Sequence, residues 1–156
     1  MAMTPIYIPD VPSSKPVGQH IIHAYAVEAI TAGDAVSVDP TTTTAGLGMH
    51  VVKADQAVGE ICIGGSLDTV AAGGILRVVV KGIQTGVNVN SGGAVAVGDV
   101  LVCSSTAGRL AEFADGAPIT APIHQWPVAV AMSIPSGNSG TVLWLGTRGF
   151  EGVPNV

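Results

Sequence analysis

Four histidines, eleven carboxylates and two cysteines are the side chains in this sequence with the most chemical reach. A hydrolase would set a serine or thiol beside a histidine and a carboxylate, and a metal centre would draw several His, Cys, Asp or Glu side chains to one point. The spacing announces neither. His20 and His23 fall on opposite faces of any strand that carries them, and His50 and His124 have no adjacent Cys, His or paired carboxylate. Ser104, Ser105, Ser133, Ser136 and Ser139 are far from the histidines in sequence, and no Gly-x-Ser-x-Gly turn is present to raise a nucleophile. Asp34, Asp39, Asp55, Glu60, Asp68, Asp99, Glu112 and Asp115 show no spacing that marks an acid–base pair. The reading is a chain with no catalytic residue, no metal site and no cofactor.

Two partial motifs fail on their missing parts. Ala45-Gly-Leu-Gly-Met-His50 lacks the third glycine and the following helix or Lys-Ser/Thr of a nucleotide loop, so it reads as a turn. Val97-Gly-Asp-Val-Leu-Val102 resembles the hairpin of biotinyl and lipoyl carrier domains, but no lysine follows Lys81 to bear the prosthetic arm.

The elements that would position any of these groups are strands and turns. Ala29-Ile-Thr-Ala-Gly-Asp-Ala-Val-Ser-Val38 recurs as Ala94-Val-Ala-Val-Gly-Asp-Val-Leu-Val-Cys103, each copy joining a Gly-Asp turn to an apolar strand. Gly33, Asp34, Gly98 and Asp99 are therefore candidate structural turn residues, the carboxylates accepting local backbone hydrogen bonds. Strands are predicted over His20–Ala26, Ala35–Asp39, Gly48–Ala54, Gly59–Ile63, Ile75–Lys81, Asp99–Cys103, Gly108–Phe113, Val128–Ile134 and Thr141–Leu145. No segment supplies a crossover helix, so the fold class is all-β: a compact β-barrel or β-sandwich of short antiparallel strands with an extended N-terminal arm. Gly64-Gly65, Gly73-Gly74 and Gly92-Gly93 read as tight turns.

The arm covers residues 1–18, where Pro5, Pro9, Pro12 and Pro16 forbid a helix and Ile6, Tyr7, Ile8 and Val11 give apolar character unusual for a solvated tail. A β-domain over 19–149 follows, with two similar units at about 26–90 and 91–147, and then a C-terminal tail, 150–156.

Composition bounds the partners. Charged residues are 11% of the chain and mean hydropathy is +0.52, so the surface is covered by small neutral residues or by other chains. Arg77 and Lys81 interrupt the longest apolar runs well short of the ~20 residues of a membrane helix, and no secretion signal opens the chain; the expectation is a soluble protein made in the cytoplasm. A net charge of −5 with scattered Lys15, Lys53, Arg77, Lys81, Arg109 and Arg148 argues against nucleic acid as a direct partner. Cys62 and Cys103 sit in apolar runs and read as buried reduced thiols. Trp126 and Trp144 are candidate core residues or interface anchors.

The Gly-Asp strands, with Ala57-Val-Gly59, Ser104-Ser-Thr-Ala-Gly-Arg-Leu110, Pro127-Val-Ala-Val-Ala-Met132 and Gly140-Thr-Val-Leu-Trp-Leu145, resemble the small head decoration, or cement, proteins of tailed bacteriophages. The resemblance spans about residues 26–146. It implies a β-rich virion protein, commonly a homotrimer, that binds the outside of an expanded capsid and bridges major capsid protein subunits. It also implies that the arm, through Pro5, Ile6, Tyr7, Ile8, Pro9, Val11 and Pro12, holds a capsid or sister subunit. This chain departs from the family in the length and proline content of that arm. A receptor-binding or fibre-tip β-domain shares the Gly/Thr-rich composition, and a small hydrolase would need a cleft joining His20, His50 or His124 to a serine and a carboxylate.

Overall fold

A computed structural model of the chain describes residues 18–39, 41, 48–55, 61–90, 95–113 and 127–146. Among these the fold is all-β: β1 (His20–Ala26), β2 (Ala35–Val38), β3 (His50–Lys53), β4 (Cys62–Ser66), β5 (Ile75–Asn88), β6 (Val100–Cys103), β7 (Leu110–Glu112), β8 (Ala129–Ala131) and β9 (Ser139–Leu145). The strand order β1-β3-β2-β4-β5 closes on itself through β1–β5 pairing, forming a five-stranded barrel. Beyond Lys81, β5 leaves the barrel and pairs with β9, starting an open sheet in the order β5-β9-β8-β6-β7.

Alternation along β5 serves both parts. Leu76, Val78 and Val80 point into the barrel with Ala24, Ala26, Ile30, Val36 and Val51. Val79 points the other way, into a second core with Ala35, Cys62, Leu101, Leu110, Val142 and Trp144. The barrel core is built from Val, Ile, Leu and Ala, and the second core combines Trp144, Leu101 and Leu110 with valines and small residues.

Four turns launch four strands in the same way. In Thr31–Asp34, Ala71–Gly74, Ala96–Asp99 and Thr106–Arg109 the fourth residue's N–H donates to the first residue's carbonyl, at 3.0–3.2 Å. The third residue is a glycine at positive φ: Gly33 at 92°, Gly73 at 83°, Gly98 at 96° and Gly108 at 77°. This is the type II turn, whose third position rejects a side chain. Strands β2, β5, β6 and β7 begin at the next residue.

Three expectations are corrected. The barrel is not wholly antiparallel: β1 and β3 run parallel, with Tyr25 opposite His50 and Ala26 opposite Val51. The chain between them carries β2, which pairs on the far side of β3, so a strand takes the place of a crossover helix. Second, β5 does not stop at Lys81 but runs 14 residues, passing Gly82 (φ 100°) and a register shift between Gln84 and Val87. Third, Gly64 and Gly65 are strand residues of β4 rather than a turn. A Cβ on Gly64 would overlap the Val79 carbonyl oxygen, and one on Gly65 would overlap Gln84 Oε1, so close approach is what requires glycine here. The arm, the Gly92-Gly93 pair, Trp126, His124 and the 150–156 tail lie outside the described residues.

Candidate interaction surface

The repeated Gly-Asp turns are structural. In the first, Asp34 Oδ2 accepts from the Thr31 N–H (2.8 Å) and Oδ1 accepts from Asn88 Nδ2 (2.8 Å), with Lys53 Nζ at 3.8 Å. Backbone bonds extend this knot: Gly33 N–H to Ser66, Ser66 N–H to Asp34, Asn88 N–H to Gly33, and Ala35 N–H to Gly108. Asp34 is thus buried where the barrel meets the open sheet. In the second, Asp99 Oδ2 accepts from the Ala96 N–H (2.6 Å), and the turn is exposed. The two carboxylates share one local geometry, but only Asp34 is built into a junction.

Several of the groups with catalytic potential are engaged in the fold. The His50 ring lies against Tyr25, centroids 5.7 Å apart, and His20 and His23 are exposed on β1. Ser104 is buried and accepts from Asn90 Nδ2 (2.6 Å), while Ser133 accepts from the Thr141 N–H (2.9 Å). Cys62 and Cys103 are buried thiols, and burial pushes the Cys62 thiol up, away from its reactive thiolate. Among the described residues no three His, Cys, Asp or Glu side chains are grouped to hold a metal ion. An exposed ion pair joins Arg77 to Asp68 (2.6 Å); hydrogen bonding from the guanidinium holds that carboxyl below its ordinary range.

Trp144 is a core residue. Its indole Nε1 donates to Gln84 Oε1 (2.8 Å), and Gln84 Nε2 donates to the Ser66 carbonyl (2.9 Å), so a buried polar chain ties β9, β5 and β4 together.

The candidate contact surface is the outer face of the open sheet. Residues directly opposite one another on neighbouring strands point to the same face. Ile83 faces Leu143, Leu143 faces Val130, Val130 faces Val100, and the Phe113 N–H donates to the Val100 carbonyl (2.9 Å). One apolar row therefore crosses β5, β9, β8 and β6 and reaches Phe113, beside β7. Beside it, Lys81 faces Leu145, whose N–H donates to Val128, and Val102 faces Ala111. Lys81 is the single charge in these two rows. Ile83, Val100, Phe113 and Leu145 are exposed, and Met132 and Val97 (61%) extend the patch. An antiparallel sheet with one solvated face ordinarily carries polar residues there. Here much of that face is apolar, with Lys81, Thr85, Ser139 and Thr141 as its polar members and Val102 buried within it.

Sequence reading missed that face. Val100, Val130 and Leu143 were visible as strand residues, but their alignment depends on register across five strands, and Ile83 fell beyond the predicted end of its strand. The excess of apolar residues over charges was the only signal.

No protein-family model matches the chain, and no curated protein does. Among solved structures the fold is similar to the crystal structure of the head fibre gp8.5 N base of bacteriophage phi29, with a TM-score of 0.53 and 14% identity. The match covers 81% of this chain and 93% of that one. At this identity the likeness is one of fold.

Proposed function

We propose that this chain is a structural protein of a phage virion, associated with the head. In the finer form of this reading it decorates the outside of the expanded capsid and stabilises it by bridging major capsid protein subunits. The observation that carries the proposal is the fold shared with the base of the phi29 head fibre. The sequence resemblance to head decoration proteins supports the same setting. The exposed Ile83, Val100, Phe113 and Leu145 of the outer face support a role in assembly through modest contacts. Symmetric repetition on a shell multiplies modest contacts into firm attachment, with no need for one tight site.

On this reading Pro5, Ile6, Tyr7, Ile8, Pro9, Val11 and Pro12 form the arm that grips a capsid or sister subunit, and the assembled form is a homotrimer. A second reading, the base of a head fibre, is favoured by the identity of the structural neighbour itself. Both place the protein on the exterior of the head. Incubating the purified chain with expanded heads, sedimenting them and imaging the pellet tests the proposal. Compact knobs at regular lattice positions support decoration, sparse projecting fibres support the second reading, and bare heads reject both.

A further inference from the structure

We infer that the outer face of the open sheet is a binding site for the chain's own Pro5–Pro12 segment. The inference rests on reading residues 1–18 as a docking arm, not on attachment to a phage head, and it concerns the free chain, before the arm engages a capsid or sister subunit.

The first argument is size. The row from Ile83 to Phe113 crosses five strands, about 19 Å at ordinary strand spacing. Counting its flanking rows, the patch is roughly 250 Å² in projection, against roughly 800 Å² per partner in a stable protein–protein interface. A face-to-face pair of copies is therefore too small to persist on this patch. A single extended segment fits it.

The second argument is the pattern in that segment. Prolines at 5, 9 and 12 favour polyproline II, with three residues per turn and about 3.1 Å per residue. At that period Pro5, Ile8 and Val11 share one edge and Ile6, Pro9 and Pro12 share the next, while Thr4, Tyr7, Asp10 and Ser13 share the third. Two adjoining edges are apolar and the third is polar. The apolar stretch from 5 to 12 is about 22 Å long at this rise, matching the width of the row. A proline-rich segment also loses little conformational entropy on docking.

The third argument is where the described chain begins. A Cβ on Gly82 would lie 2.8 Å from the Gly18 carbonyl oxygen, and the Gln19 side-chain amide donates to the Ile83 carbonyl. The arm thus departs beside Ile83, the first residue of the apolar row, and holds its apolar segment at high local concentration near that face.

The test is oxidative cross-linking of the full chain, with Ile8→Cys combined either with Val100→Cys in the row or with Ile75→Cys at the opposite end of β5. Val100 and Ile75 are both exposed, so neither substitution burdens the core, and native Cys62 and Cys103 are buried. The inference expects the Ile8–Val100 disulfide to form at least tenfold faster than the Ile8–Ile75 one, and Val100→Lys to hasten proteolysis of the arm. Equal rates overturn it, as does a Val100→Cys chain that joins to its own kind faster than to Ile8→Cys, which would give the face to a second copy. Heads that bind the full chain while Ile8 shows no preference for Val100 would leave the proposed function standing and remove this inference.

Discussion

Trp144 and Gln84 meet side chain to side chain in the interior, the indole N–H donating to the amide oxygen at 2.8 Å while the amide nitrogen donates on to Ser66. Gln84 lies beyond the predicted end of its strand at Lys81. Replacing Gln84 with alanine leaves the Trp144 N–H unmatched, at about 1–3 kcal/mol for a buried group left without a partner, and removes one of the two hydrogen bonds to the Ser66 carbonyl, which keeps that from the Gly33 N–H. Trp144→Phe orphans the Gln84 amide oxygen and trims the ring, whereas Gln84→Ala orphans the indole N–H, removes the tie to Ser66 and empties the volume of the amide, so Gln84→Ala should destabilise more. Urea denaturation of both variants gives the order; the reverse order would show that ring volume outweighs the polar chain.

Gly33 and Gly98 occupy the same position in equivalent turns, at φ 92° and 96°. A Cβ at Gly98 meets nothing within 4 Å, whereas one at Gly33 would overlap the Gly86 carbonyl oxygen. Gly98→Ala should cost only the left-handed backbone penalty, about 1–2 kcal/mol. Gly33→Ala should cost that and the displacement of Gly86 at the barrel junction, on the order of 4 kcal/mol or failure to fold. Thermal unfolding of the two variants side by side separates the terms, and equal losses would contradict the junction role of the first turn.

The Arg77–Asp68 pair makes a pH-dependent contribution of known sign. Hydrogen bonding from Arg77 lowers the Asp68 carboxyl below its unfolded value. Its stabilisation is complete above the unfolded pKa and is lost as pH falls through the lower folded value. The pair is exposed, so the effect is small and weakens with salt. Asp68→Asn should flatten the acid limb of the melting-temperature profile slightly and leave the difference between pH 7 and pH 8 unchanged.

Cys62 and Cys103 should resist a thiol reagent in the folded chain, because both are buried and the Cys62 thiol is held protonated. Labelling should follow the unfolding rate and reach both sulfurs together in denaturant. Rapid labelling of the native chain would mean that the core shared by barrel and sheet opens locally.

What the sequence revealed follows the range over which each signal acts. Turns such as Thr31–Asp34 are set by four consecutive residues, and β1 or β6 by local alternation, so both were legible. The far half of β5 was not: Gln84, Thr85 and Gly86 interrupt the apolar run, and their place in a strand is decided by β9 more than fifty positions later. Gly64 and Gly65 misled for the same reason, since the crowding that demands glycine comes from Val79 and Gln84. The apolar face is the longest-range feature of all, requiring four registers to agree, and it became visible only once Ile83, Leu143, Val130 and Val100 were aligned.

The arm links this architecture to the proposed role. Deleting residues 1–18 should leave the melting temperature of the β-domain nearly unchanged, because the core lies in the described strands. The same deletion should lower co-sedimentation with expanded heads at least tenfold. Undiminished binding by the shortened chain would take the arm out of the account.

The most direct measurement is imaging of expanded phage heads after incubation with the intact purified chain. The account predicts ordered density on the outer surface at symmetry-related positions, saturating with added protein. Heads that remain bare at saturating protein, with the chain folded and in solution beside them, would contradict it.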